Sequence, residues 1–415
     1  MGHAVSEKPA IAGGVPAKQT QWGSEPRFGE EELQQLKEAL DQGTLFYALG
    51  KKVRQLERDF AEKSSVGFAV ACTSGTAAIH AAMIALGISP GDEVIVTSVT
   101  DMGSLIPILY QGGVPVFADL HPYSYEMLPE AVEAAITPQT RAVLAVHLWG
   151  NACDLNALQQ VCARRNLALV EDCAQALGCR YDGKPIGTIG RIGCFSLNEY
   201  KHINCGDGGL VITDDPDLAH RLRLATDKCY DRGAGPHARE PYFLCGNYRM
   251  TELQGAVGVA QLRKLDSIVA RRRTWCSELS ERLQGLEGLT PPEVTPGCEP
   301  SWWFYLMRMD PEVLGADRPT FVQALRAEGL IVGEGYLSRP VYEYPIFTDH
   351  SAFARGSHPY ERRQYGRGLC PTTERILETA IMIGVNQAYT EADLEETVLG
   401  IRRVCRWYRD RAAAR

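Results

Sequence analysis

No block of Lys and Arg interrupts the 415-residue sequence; its densest basic run, residues 271–273, lies inside a mixed-charge helical stretch. With 43 Lys+Arg against 51 Asp+Glu the net charge is −8, so the electrostatic footprint of a nucleic-acid binder is missing. No C-x-x-C spacing occurs among the 13 cysteines, which are odd in number and scattered from Cys72 to Cys405. That usage fits free, buried thiols in a reducing compartment better than a disulfide framework or a zinc site. Residues 1–20 carry no apolar leader core, so a cytoplasmic protein is expected. There is no internal repeat and no low-complexity tract. At about 150 residues per domain, two or three domains are expected, with a small-molecule partner.

One stretch, 64–91, has no Asp, Glu, Lys or Arg and is apolar enough to suggest a membrane span. Its centre reads Cys72-Thr73-Ser74-Gly75-Thr76, which would strand a polar turn at the bilayer midplane. A buried strand, a phosphate-binding turn and a buried helix account for every residue, so no membrane association is expected.

Short β-branched runs at 67–71, 93–98, 115–118, 141–147, 167–171, 193–197 and 209–213 alternate with Ala/Leu-rich helical patterns at 77–86, 129–136, 154–165 and 215–224. This rhythm predicts an α/β domain with a mostly parallel sheet, and such sheets place ligands beyond the carboxyl ends of their strands. Ser74, Asp172, Gln175 and Lys201 occupy such positions. A long helical pattern spans 251–283, and a change of domain is expected near Leu265, giving a large domain 1–264 and a small α+β domain 265–415. The second part carries a strand candidate (303–308), a helix (320–328), a Tyr/Pro-rich loop (335–345) and a C-terminal helix (391–411).

Three constellations carry chemistry. In Thr73-Ser74-Gly75-Thr76-Ala77-Ala78, a strand turns into a helix whose first N–H groups form an anion cradle; the plainer reading is a simple N-cap. In Val170-Glu171-Asp172-Cys173-Ala174-Gln175, an acidic pair ends an apolar strand. It is either a solvated turn or a carboxylate facing a protonated pyridine nitrogen, with Gln175 on the ring hydroxyl. In Cys194-Phe195-Ser196 through Lys201 to Gly206-Asp207-Gly208-Gly209, a Lys among apolar residues and Gly is either surface charge or a depressed-pKa amine able to form a Schiff base. The Gly run is no dinucleotide fingerprint, because Val211 stands where its third Gly belongs.

In this order and spacing, with Pro90-Gly91-Asp92-Glu93, Val146-His147-Leu148-Trp149-Gly150 and Asn247-Tyr248-Arg249-Met250, the three motifs resemble the DegT/DnrJ/StrS-type family of pyridoxal-phosphate (PLP)-dependent sugar aminotransferases. The resemblance begins near Pro26 and weakens after about Leu265. It implies an aspartate-aminotransferase-like fold and a homodimer with shared active sites. It also implies transfer of an amino group from L-glutamate or L-glutamine to a keto-sugar or keto-cyclitol, in secondary-metabolite or cell-surface sugar biosynthesis. Lys201 would carry the Schiff base, Asp172 would pair with the pyridine nitrogen and Gln175 would contact the ring oxygen. Ser74, Gly75, Thr76 and Ser196 would hold the phosphate, and Asn247 would reach the phosphate of the neighbouring subunit.

One departure stands out. Where many relatives stack an aromatic residue on the cofactor, this chain has Thr100-Asp101-Met102-Gly103-Ser104. Either Met102 covers the ring by a sulfur–aromatic contact, or Asp101 marks a different reaction such as dehydration or lysis, or Asp101 is a helix cap turned away. A non-catalytic partner on the same fold is a further alternative, against which the intact Asp172 and Lys201 argue. His80, His147 and His202 match no metal spacing, and no metal is expected; His202 draws notice only as the neighbour of Lys201. Trp302, Trp303, Tyr305, Tyr336, Tyr342 and Tyr344 are read as core or as the lining of a sugar pocket. Lys228, Arg232, Arg239 and Arg339 are the cations available to a diphosphate.

Overall fold

A computed structural model describes residues 8–354 and 358–414. The first seven residues, part of the segment read above as lacking a leader, lie outside the described residues. Nine strands form in the first half of the chain: β1 (Phe68–Cys72), β2 (Glu93–Thr97), β3 (Val114–Ala118), β4 (Thr140–Val146), β5 (Ala168–Asp172), β6 (Arg180–Tyr181), β7 (Lys184–Pro185), β8 (Ile192–Ser196) and β9 (Gly209–Thr213). Seven of them make one sheet in the order β1-β9-β8-β5-β4-β2-β3. Only β9 runs against the rest, pairing antiparallel with β1 and β8; β8, β5, β4, β2 and β3 are mutually parallel. The fold is therefore α/β with a mostly parallel, mixed sheet, as the alternating pattern predicts.

Helices cover both faces of the sheet, so its strands are apolar runs without alternation. β5 and β8 are buried at every residue. The charge-free stretch becomes β1 followed by the helix Gly75–Leu86, which is buried from Ala77 to Ala85. Among the described residues no helix is long and apolar enough to cross a membrane.

The second half adds β10 (Leu289–Thr290), β11 (Cys298–Glu299), β12 (Tyr305–Met309), β13 (Val332–Gly333) and β14 (Ala380–Ile383). β10-β12-β14-β13 form an antiparallel sheet, and β11 joins the β6/β7 hairpin. The helix Glu252–Leu283 runs unbroken past Leu265. Its Leu262, Leu265 and Val269 pack in the core beside the large sheet, while Trp275, Leu279 and Leu283 pack with Leu306, Phe321 and Ile401 on the smaller one.

Several elements depart from the sequence expectation. The strand anticipated at 303–308 begins only at Tyr305, because Trp302 adopts a left-handed φ of 52° and the Trp303 N–H donates to the Trp149 carbonyl. The helices Glu30–Asp41 and Lys52–Ser64 and the strand β14, none of them anticipated, complete the packing.

Candidate active site

Six of the seven strands of the large sheet end at one edge, and a cavity of about 350 Å³ opens there. Ser74, Gly75 and Thr76, Asp101, Asp172 and Gln175, and Ser196 and Lys201 all border it. Each is placed by an identifiable local cause.

Ser74 caps the helix Gly75–Leu86, its Oγ accepting the Ala77 N–H at 3.1 Å. The remaining first-turn N–H groups have no partner within the helix and face the cavity with the dipole's positive end. A Cβ at position 75 would stand 2.9 Å from the Ser196 Cβ, so glycine is what lets β8 and this helix start close around the same space.

Asp172 ends β5 and is buried. Its Oδ2 accepts from Ser104 Oγ at 2.7 Å and its Oδ1 from the Ala174 N–H at 3.1 Å. Ser104 spends its only proton on Asp172, so Thr100 Oγ1, 2.6 Å away, donates to Ser104. Burial pushes the Asp172 carboxyl above the usual range, and the two hydrogen bonds and the Lys201 charge oppose that rise. Gln175 Oε1 accepts the Trp149 N–H at 3.1 Å, which leaves its amide nitrogen as the free donor.

Lys201 sits in the loop after β8. Arg27 donates to the Lys201 carbonyl and, at 2.6 Å, to that of Glu199. Its Nζ lies 3.7 Å from the centre of the Trp303 ring, whose Nε1–H is anchored to the Tyr200 carbonyl at 2.7 Å. Burial lowers the Lys201 pKa to about 8, against the raising influence of Asp172 and Asp101.

Asp101 both borders the cavity and caps a short turn, its Oδ1 accepting the Gly103 N–H at 2.7 Å. Met102 packs against the core behind the sheet and does not border the cavity, so a sulfur–aromatic cover from Met102 finds no support in the geometry. Asn247 does not meet the others either; it is exposed and bridges Asp227 through its backbone. Ser104, Thr100 and Trp303 were not singled out by position in the sequence. The one signal toward Trp303 was its membership in the aromatic group, of which Trp302, Tyr305 and Tyr342 are fully buried core.

The histidines point elsewhere. Buried His202 bonds the Ser301 carbonyl through Nε2 at 3.0 Å, and burial with nearby cations pushes its pKa well down. His147 has its donor atoms within 4.8 Å of two groups, Glu126 with Cys153 and Glu171 with Cys173. Both its ring nitrogens are engaged, Nε2 with Glu171 at 3.1 Å and Nδ1 with the Cys153 N–H at 3.2 Å.

The sequence profile of the DegT/DnrJ/EryC1/StrS aminotransferase family matches residues 26–402. The chain belongs to this family. It is 33% identical over 385 residues to a GDP-perosamine synthase of Caulobacter vibrioides, covering 91% of this chain and 96% of that one. Among solved structures it resembles an aminotransferase from Psychrobacter cryohalolentis, with a TM-score of 0.83, 27% identity and coverage of 92% and 98%. It also resembles DesV of S. venezuelae, with a TM-score of 0.80, 31% identity and coverage of 90% and 94%. The protein is thus an aminotransferase on the fold that its family shares.

Proposed function

We propose that this aminotransferase uses PLP and moves an amino group from L-glutamate or L-glutamine to the ketone of a nucleotide-linked sugar. The observation that carries the reading is the meeting of a buried carboxylate, Asp172, and a burial-depressed amine, Lys201, in a cavity that also offers an anion cradle. These residues fit the cofactor. The N–H groups at Gly75 and Thr76 with the hydroxyls of Ser74 and Ser196 suit a phosphate, the free amide donor of Gln175 suits a phenolate, and Asp172 suits a protonated ring nitrogen.

PLP supplies a carbonyl for Schiff-base chemistry and a ring that withdraws electrons from the substrate carbon. With the cofactor bound, Asp172 would hold the proton on the ring nitrogen. Lys201, with its pKa near 8, is neutral in roughly a tenth of molecules at pH 7, some hundreds of times more than an ordinary lysine. With the cofactor bound, its Nζ would take a proton from the substrate's α-carbon and hold it for return. The aromatic roof of Trp303 excludes water from that nitrogen.

Similarity to a GDP-perosamine synthase supports a nucleotide-linked acceptor over a cyclitol. Lys228, Arg232 and Arg239 gather around the Tyr230 ring, at 4.3, 5.4 and 6.0 Å, and Arg339 lies over Tyr344 at 5.4 Å, but Arg232 is already paired with Asp227 and none of the four borders the cavity. A homodimer accords with the exposed Phe46, Leu49 and Leu244 and with Asn247 lying outside the lining of its own cavity. We assign the cofactor domain to 1–264 and the smaller domain to 265–415.

The test is direct. L-Glutamate or L-glutamine is added to the PLP-loaded protein and the visible absorption of the Lys201-linked chromophore is followed. Bleaching with release of the matching keto acid, reversed by a GDP-linked keto-sugar, is expected. Persistence of the chromophore with both donors overturns the reading.

A further inference from the structure

Thirteen thiols are present, and among those described only Cys245 and Cys298 are not fully buried. Cys298 has a second sulfur in direct contact with it, Cys179 Sγ at 3.5 Å. We propose that Cys179 and Cys298 are a site of oxidative modification, at which a hydroperoxide converts the two thiols into an intramolecular disulfide. This proposal stands apart from the reading of Lys201 and PLP.

The approach is built by the backbone. β11 pairs antiparallel with β6, Cys298 standing opposite Tyr181. Cys179, two residues before Tyr181, is then the diagonal neighbour of Cys298 on the same face. Both ends are tied down: the Asp182 N–H donates to the Gly297 carbonyl at 2.9 Å, the Cys298 N–H to Thr295 at 2.9 Å, and the Cys179 N–H to Ala176 at 2.9 Å. The sulfurs are already in contact, and closing to the roughly 2 Å of a bond asks for side-chain rotation together with a small approach of β11 and the Cys179 backbone.

The two thiols are chemically unequal. Cys298 is partly exposed, and its sulfur accepts the Ala152 N–H at 3.3 Å. Cys179 is buried and held as the thiol, both by burial and by donating to Cys298. The order of events follows. The Cys298 thiolate attacks hydrogen peroxide, the O–O bond breaks, and a sulfenic acid forms with release of hydroxide. The Cys179 sulfur then attacks the sulfenic sulfur, the S–S bond forms, and the S–OH oxygen leaves as water with the Cys179 proton. Overall two thiols and one peroxide give one disulfide and two waters; the sulfurs lose two electrons and the peroxide gains them. The bond would fix β11 covalently to β6, five residues before Trp303, the ring that covers Lys201.

The full chain, loaded with PLP and freshly reduced, is treated with one to two equivalents of hydrogen peroxide. Remaining thiols are then blocked with N-ethylmaleimide, and the protein is digested with trypsin without reductant. The expected product is a pair of linked peptides, residues 166–180 and 283–308, two hydrogens lighter than their sum once the N-ethylmaleimide on Cys173 is counted, and split by dithiothreitol. Two of the 13 thiols should be lost. Cys173 shares the first peptide, so fragmentation must place the link at Cys179. Cys173→Ser is expected to keep the link, and Cys179→Ser to leave Cys298 as the sulfenic or sulfinic acid. Recovery of Cys298 as a free thiol or as sulfinic acid in the wild-type chain, or a link through Cys173, overturns the proposal.

Discussion

Lys201 Nζ rests 3.7 Å above the centre of the Trp303 indole, and the indole is itself pinned by its Nε1–H to the carbonyl of Tyr200, the residue before the lysine. The ring shields the amine from water and offers the ammonium its negative face. Shielding lowers the amine's pKa and the cation–π attraction raises it; such an attraction is worth about 1 kcal/mol or more when desolvated.

Trp303→Leu separates these two effects, because it keeps the apolar cover and removes the quadrupole. The Lys201 pKa, near 8 in the native chain, is expected to fall by roughly half to one unit. The pH dependence of the rate at which PLP forms its Lys201-linked chromophore in the cofactor-free chain reports this value. An unchanged midpoint would leave Trp303 with shielding alone.

The same burial makes Lys201 a cost to the cofactor-free fold. Its folded pKa of about 8 lies below the ordinary 10.5, so between these values the unfolded chain binds the extra proton and stability rises with pH. Below pH 8 the whole penalty applies, and above about 10.5 it is gone. Lys201→Met should therefore stabilise the cofactor-free protein by about 3 kcal/mol at pH 7. In urea titrations across pH 7 to 10.5 the difference between variant and wild type should shrink toward zero.

Ser104 and Thr100 form a donor relay that ends on Asp172. Ser104→Ala removes a bond that favours the ionised carboxylate, so the carboxyl rises further and holds a cationic ring less well. A loss of about 1–2 kcal/mol, or roughly 5- to 30-fold in PLP affinity, is expected. Ser104→Thr, which keeps the hydroxyl, should restore it. Equilibrium titration of PLP absorbance against protein checks both.

The large sheet was legible because strands buried on both faces leave continuous apolar runs: β2, β5, β8 and β9 lie within one residue of their expected bounds. β14 was not, because its Ala-Ile-Met-Ile follows the helix Pro371–Thr379 without a break and four apolar residues have no period of their own. The helix Glu30–Asp41 buries Glu32 and Gln35, polar residues that erase an apolar stripe. Chain order brought Ser74, Asp172, Gln175, Ser196 and Lys201 to notice, since each follows or ends a strand of one sheet. Ser104 acts across 68 residues and Trp303 across 103, and no local pattern encodes a partner at that distance.

Glu171 and Asp172, neighbours on β5, should respond to amide substitution with opposite sign. Glu171 is fully buried, yet every direction around its carboxylate is filled by a donor: Gly187 N–H and His147 Nε2 on Oε2, Ile189 and Gly190 N–H on Oε1. Glu171→Gln puts an NH2 against two donors whichever way the amide turns. Flipping the His147 tautomer gives no relief, because its Nδ1 must accept from Cys153. With charge-assisted bonds of about 1.5–3 kcal/mol each at stake, a loss of about 3 kcal/mol is expected. Asp172 has only two donors and a burial-raised carboxyl, so its charge opposes folding at neutral pH. Asp172→Asn can turn its NH2 toward Ser104 Oγ, keep the Ala174 bond, and leave the cofactor-free chain as stable or more stable. Urea midpoints at pH 7 for the two variants, read without PLP, decide the matter. A drop for Asp172→Asn as large as that for Glu171→Gln would mean that Asp172 is a structural carboxylate like its neighbour.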